Sequence, residues 1–482
     1  MNRSITHLFV LFTVLFAVLV GFTSRWTVFE AESLENQTAN RRGILEEARI
    51  PRGTIFAADG TRLTRNIPRG SGKTRTYKRS YPTGNLFSHP VGYSFIDAGR
   101  AGIEKFRNRA LVGKESEFGT VFQGLGVSDR EGKDVRTTLD PAAQRTAVEA
   151  LGGQPGSIVA MEPSTGRVRV MVSIPDFNPN EIPQRKNQLN SLEGSPLLNR
   201  ATQGQSPPGS TFKVVTAAAA LDSGKFTPDS VLDGASPRDV GGAPLSNAGG
   251  QSFGPITLTQ ALTNSVNTVW AQVGEQIGPA TLLKYMQRFG FNADVPLDYP
   301  KDEIVPSGIY GEGGLVKADS GFDVGRVAIG QGGAEGQILV SSLQMAMVAS
   351  AVGNGGVLME PRLTDSIVSK DGRKEEIKPT RQSRVMSEET AGQLGEMMSQ
   401  VVREGSGTAG ALAGISVAGK TGTAQVENNA ANQAWFIAFA PAEDPKMAVA
   451  VTVERTQGTG GEVAGPLAKR VLQQLLGDQA GG

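Results

Sequence analysis

Ser210 and Lys213 stand three residues apart, behind Pro207-Pro208-Gly209 and ahead of an alanine-rich run from Val214 to Leu221. The run predicts a helix that Ser210 opens and that ends near Gly224. On a helix, residues three apart share a face. A hydroxyl with an amine one turn further on is a nucleophile beside its base. The same four residues also describe an N-cap serine and an ordinary surface lysine. Two later stretches bear on the choice. Thr263 to Thr268 holds Ser265 and Asn267, and Lys420-Thr421-Gly422-Thr423 lies near two apolar strands. The order is S-x-x-K, S-x-N, K-T-G, and each pattern occurs once in the chain.

These residue types can divide an acyl transfer among them. Ser210 is the candidate nucleophile and Lys213 its base. A lysine base must be neutral, so its pKa has to fall from about 10.4 towards 7–8, by burial and by a second positive charge nearby. Lys420 can be that charge. Ser265 can relay a proton between either lysine and a leaving nitrogen. Asn267 offers an amide donor and acceptor to a peptide group. Thr421 and Thr423 can donate to a terminal carboxylate, with Lys420 adding charge. Gly422 lets an edge strand approach the backbone of a bound peptide closely, as a substrate-binding position.

Composition narrows the field. Cysteine is absent, which removes disulfides, thiol catalysis and zinc–thiolate sites. Only two histidines occur, His7 and His89, so a serine–histidine triad would rest on His89. Lys+Arg number 48 against 47 Asp+Glu, and that balance does not point to nucleic acid. No metal site or cofactor is expected. Gly414 to Thr421 also fits G-x-x-x-x-G-K-T, but a phosphate-binding loop would open a helix, and a poor helix start follows here.

The S-x-x-K, S-x-N and K-T-G set marks penicillin-binding proteins and related β-lactamases. The chain resembles a class B penicillin-binding protein, of the actinobacterial penicillin-binding protein A type, over nearly its whole length. In the front segment, Pro51-Arg52-Gly53-Thr54-Ile55 with Asp59-Gly60, Gly99 to Glu104, and Thr137-Thr-Leu-Asp140-Pro141 with Gln144 are similar to that family's motifs. Alanine stands where the first of these usually has a second arginine. Gly330-Gln331-Gly332 and Gly407-Thr408-Ala409 resemble markers of its catalytic domain.

The resemblance implies an α/β (α+β) transpeptidase fold, an antiparallel sheet flanked by helices, behind a mixed pedestal module. It implies a serine D,D-transpeptidase acting on peptidoglycan stem peptides that end in D-Ala-D-Ala, acylated by β-lactam antibiotics on the same serine. It also implies an oxyanion hole from the N–H groups of Ser210 and Thr423, and a polytopic glycan-polymerase partner. Hydrolytic relatives (a D,D-carboxypeptidase or a β-lactamase) and a non-catalytic β-lactam-binding scaffold are the alternatives. No E-x-x-x-N of the deacylating kind is apparent after the second motif.

Three blocks must position these residues. Arg3 and Arg25 bracket an uncharged run of about 30 Å if helical, which predicts a membrane anchor over 1–24 rather than a cleaved signal peptide. Arg3 opposes Arg25, Arg41 and Arg42, so charge alone leaves its orientation open. A short cytoplasmic tail with an exported C-terminal part is the economical topology. Residues 25–150 read as a mixed, dimerisation-like pedestal module, with Arg69, Lys73, Arg75, Lys78 and Arg79 expected on a solvated or anion-facing surface. Residues 151–482 read as the catalytic domain. A capped helix from Asp140-Pro141 to Leu151 opens it, and Ile158–Met161 and Val168–Val172 form a hairpin. Helical patterns cover Leu258–Val273, Pro279–Phe289, Ser341–Val352, Glu388–Val402 and Pro466–Leu476. Strands cover Ala434–Ala440 and Met447–Val453.

Overall fold

The computed structural model describes residues 3–26, 47–114, 131–316, 318–333, 336–426 and 431–477. Arg41 and Arg42, used above for orientation, lie outside them. Helix α1 (Arg3–Ser24) buries none of its residues and has a mean hydropathy of 2.5 over its most apolar window. It is long and apolar enough to cross a membrane.

The front segment contributes β1 (Ile55–Phe56) and β2 (Asp134–Thr137). A hairpin pairs Arg65–Arg69 with Thr76–Ser80. Arg69 and Arg75 are exposed, but Arg79 is buried, which corrects the solvated reading for that residue. Arg79 and Arg52 both grip Glu104, Arg52 at 2.8 Å, and Arg52 also donates to Asn108 at 2.7 Å. Burial pushes the Glu104 carboxyl up, but Arg79 and Arg52 outweigh it and hold the group below its usual range. The arginine of the first front motif and the glutamate of the second thus form one buried ion cluster.

Helix α2 (Pro141–Leu151) starts where the sequence predicts. The Asp140 carboxylate accepts from the Ala142 and Ala143 N–H groups, and Gly152 ends the helix at φ 56°. Gln144 exchanges two hydrogen bonds with the backbone of Met171, which explains its place in the motif.

The catalytic body runs through β3 (Gly156–Met161), β4 (Val168–Ile174), α3 (Lys213–Asp222), α4 (Leu258–Thr263), α5 (Asn267–Ile277) and α6 (Ser342–Gly353). It continues with β5 (Thr364–Val368), β6 (Lys374–Glu376), α7 (Glu388–Glu404), β7 (Ala418–Val426), β8 (Ala431–Ala440), β9 (Met447–Thr456) and α8 (Ala464–Gly477). The central sheet is antiparallel, in the order β7-β8-β9-β3-β4. A second sheet, β1-β2-β5-β6, joins the front segment to strands from the body.

Both faces of the central sheet are buried. Trp435, Ile437 and Phe439 point to one core, and Ala434, Phe436 and Ala438 to the other. Helices α2 and α8 cover the second face, and α3, α5, α6 and α7 fill the first. The alanines of α3 are all buried, so neighbouring helices close around it. α6 is buried from Ser342 to Val352, as expected of a central helix.

Removing the charge on Glu104 leaves two guanidinium groups buried without a counter-ion. Glu104→Gln is expected to lower stability by about 3–5 kcal/mol, read from the urea midpoint of the front segment's unfolding. Because the native carboxyl is held below its usual range, this stabilisation is complete at neutral pH and fades as acid protonates it.

Candidate active site

The segment around Ser210 differs from a simple helix start. Gly209–Phe212 is a 3-10 turn, and the α-helix begins at Lys213. Neither the turn nor the helix is capped by a side-chain hydrogen bond, so Ser210 does not serve as an N-cap. Its side chain is half-buried.

The helix expected over 258–273 is two helices. α4 ends at Thr263, Ser265 takes φ 57°, and α5 begins at Asn267. A serine in the left-handed region is held there by its surroundings. The break turns the Ser265 side chain and its carbonyl towards the lysines. Periodicity misses it because both halves carry apolar residues on helical spacing.

The three motifs converge. Lys213 Nζ donates to Ser265 O at 2.7 Å and to Asn267 Oδ1 at 2.7 Å, and lies 3.3 Å from Ser265 Oγ. Lys420 Nζ donates to Ser265 Oγ at 2.9 Å and to the carbonyl of Thr421 at 3.0 Å. None of the hydrogen bonds of Lys213 runs to Ser210 in this resting arrangement; such bonds commonly tighten only once substrate is bound. Both lysines are fully buried. Burial, then the charge of Lys420, pushes the Lys213 amine far below the usual lysine range. Burial lowers Lys420 to about 7.

Strand β7 is fastened to the nucleophile turn by backbone contact. A Cβ on Gly422 would sit 2.5 Å from the Pro208 carbonyl. Gly209, at φ 52°, faces the backbone of Thr423, and its N–H donates to Gly330 O at 3.0 Å. A Cβ on Gly330 would meet Gly209 O at 1.8 Å, which explains that glycine marker. Trp435 on β8 donates to Pro207 O at 3.0 Å. Gly422 thus also lies close against the protein's own Ser210 turn.

The threonines have partners that the sequence did not reveal. Thr421 Oγ1 lies 2.7 Å from Ser406 Oγ, just before Gly407-Thr408-Ala409. The Gly460 N–H donates to Thr423 Oγ1 at 3.0 Å, leaving the Thr423 hydroxyl proton available to an acceptor elsewhere. Asn267 Nδ2 donates to Ser246 O at 3.0 Å, from the glycine-rich excursion after α3. None of these three partners belongs to a motif.

Two other readings are settled. His89 is buried edge-on against Phe177, where burial lowers it to about 4, so it is a packing residue. Gly419 to Thr421 lie inside β7, a strand, which does not present a helix N-terminus to a phosphate.

Comparison with known proteins agrees with the geometry. Residues 156–473 match the penicillin binding protein transpeptidase domain, and residues 52–135 match the penicillin binding protein A dimerisation domain. The chain belongs to the penicillin-binding transpeptidase family. It is 33% identical to the peptidoglycan D,D-transpeptidase PbpA of Mycolicibacterium smegmatis, over 99% of each chain. Its fold is similar to penicillin-binding protein A of M. tuberculosis in its penicillin G acyl-enzyme complex, with TM-score 0.77, 30% identity, and 89% and 100% of the two chains covered. It is also similar to the D,D-transpeptidase domain of a peptidoglycan glycosyltransferase from Eggerthella lenta, with TM-score 0.78, 34% identity, and 90% and 99% covered.

Two outcomes follow from this geometry. Acylation by benzylpenicillin should rise with pH as Lys213 loses its proton, and fall again above about 7 as Lys420 loses its charge. A rate that climbs steadily to pH 10 would return both lysines to ordinary values. Gly422→Ala should lower the acylation rate by about 10²-fold, through displacement of β7 from the Ser210 turn, with folding followed by circular dichroism.

Proposed function

We propose that this penicillin-binding family member cross-links peptidoglycan through an acyl-enzyme on Ser210. The observation that carries the reading is the hydrogen-bonded set Lys213–Ser265–Lys420, assembled from three distant motifs.

A neutral lysine amine has two N–H donors and one lone pair. Both donors of Lys213 are engaged at 2.7 Å, by Ser265 O and Asn267 Oδ1. Its lone pair, which at rest can accept from Ser265 Oγ at 3.3 Å, takes the Ser210 proton as Oγ attacks the carbonyl between two D-alanines. The oxyanion forms against the N–H groups of Ser210 and Thr423. The C–N bond breaks, and Ser265, resupplied by a lysine, gives a proton to the departing D-alanine nitrogen. An acceptor amine on a neighbouring stem peptide then attacks the ester. Its N–C bond forms, the Ser210 O–C bond breaks, and the proton returns to Ser210. Lys420, Thr421 and Thr423 hold the terminal carboxylate, Gly422 keeps the strand close, and Asn267 receives a substrate amide. β-Lactams enter by the same first step.

The chain is organised as a single-pass anchor over 1–24, a pedestal over 25–150 and a catalytic domain over 151–482, on the extracytoplasmic side. The apolar α1 and the position of the transpeptidase match at 156–473 support this order. Family resemblance alone supports a polytopic glycan-polymerase partner.

Fluorescent penicillin tests the chemistry. The protein should be labelled, and Ser210→Ala should abolish labelling. Label persisting on the mutant would remove Ser210 as nucleophile. Release of bound label within seconds would make the protein a hydrolase instead.

A further inference from the structure

Helix α5 carries Asn267 at its first position, yet its own N-cap residue is Val266, which has no side-chain acceptor. The first N–H groups of a helix need partners from elsewhere. One comes from 21 residues upstream. Asn247 Oδ1 accepts from the Thr268 N–H at 2.9 Å. Asn247 is only 4% exposed. Its Nδ2 donates to Gly234 O at 3.1 Å and to Gln251 O at 3.0 Å, which ties both ends of the excursion together. Its own N–H donates to Ser236 Oγ. Every polar group of this side chain is satisfied: the amide N–H bonds close the excursion on itself, and the amide oxygen holds it against the start of α5. The residue before it, Ser246, supplies the carbonyl that takes one N–H of Asn267.

We infer that Asn247 is a positioning residue for Asn267, capping α5 from outside and orienting the Asn267 amide for the ligand. The Asn267 amide is held from two sides. Its oxygen faces Lys213, and one of its N–H bonds is spent on Ser246. This leaves a single N–H to read an incoming amide carbonyl. Without Asn247 the first turn of α5 loses its cap, Ser246 is released, and that N–H loses its direction. The Ser265 carbonyl and Oγ are held by the two lysines as well, so the nucleophile chemistry is less affected than amide recognition.

The inference rests on Asn267 being the group that receives the ligand's amide, and the test separates the two. Acylation of the full-length protein is measured with benzylpenicillin, which carries a side-chain amide, and with 6-aminopenicillanic acid, which keeps the ring and carboxylate but lacks that amide. Asn247→Ala should slow benzylpenicillin about tenfold and 6-aminopenicillanic acid by no more than about twofold. Asn247→Asp keeps an acceptor for the Thr268 N–H but turns an oxygen towards the Gly234 and Gln251 carbonyls, so it should recover only part of the benzylpenicillin rate. Where Asn247→Ala is too unstable to assay, Asn247→Ser carries the same comparison. An equal loss with both compounds, or no loss, overturns the positioning role. If Asn267→Ala also fails to discriminate between the two compounds, the assigned role of Asn267 falls and takes the inference with it. If Asn267→Ala discriminates and Asn247→Ala does not, only the inference falls.

Discussion

Two buried lysine amines share one serine hydroxyl. Lys213 and Lys420 are both fully buried, and Ser265 Oγ lies within 3.3 Å of each. Two ammonium groups cannot both persist there, because desolvation and mutual repulsion act in the same direction. The pair therefore holds fewer protons than it would in solvent. Lys213 gives way further because it feels Lys420 as well as burial. The alanine run around Lys213, the break at Ser265 and the glycines of β7 all serve to keep this pair buried and close.

Much of this was legible in the sequence. The three motifs picked out residues that the fold brings together, and the shortage of histidine pointed to lysine as the candidate base. Helix α2 was readable down to its Asp140 cap and its proline, because those signals are local. What escaped carried no recognisable signal. Ser265 sits inside a continuous helical pattern, yet it takes φ 57° in a turn that ends α4, where its N–H donates to Leu262 O and that of Val266 to Ala261 O, a position at which glycine is usual. Asn247 lies in a stretch of glycine, proline and serine that reads as loop. Its role appears only once the excursion folds back onto α5. Arg79 read as one of five solvated charges, while the glutamate that buries it belongs to a different motif.

Glycine has two uses here that composition alone cannot separate. Some glycines serve turns and meet nothing. Gly422, Gly330 and Gly460 instead mark places where one backbone lies on another, with no room for a Cβ. The site is thus braced by main chain. Side chains line the candidate site, but the spacing between the Ser210 turn and β7 is set by a glycine lying against a carbonyl oxygen.

The central sheet has a temporal side. Its third and fourth strands, β9 and β3, come from opposite ends of the catalytic domain, and Trp435 reaches back 228 residues to Pro207. Contacts of such high order form late. A chain emerging from its N-terminus presents Ser210 long before Lys420 exists to sit beside it. Until then Lys213 is an ordinary ammonium, and the serine is an ordinary hydroxyl. The reactive centre is therefore absent from the nascent chain and comes into being only with the arrival of the C-terminal strands.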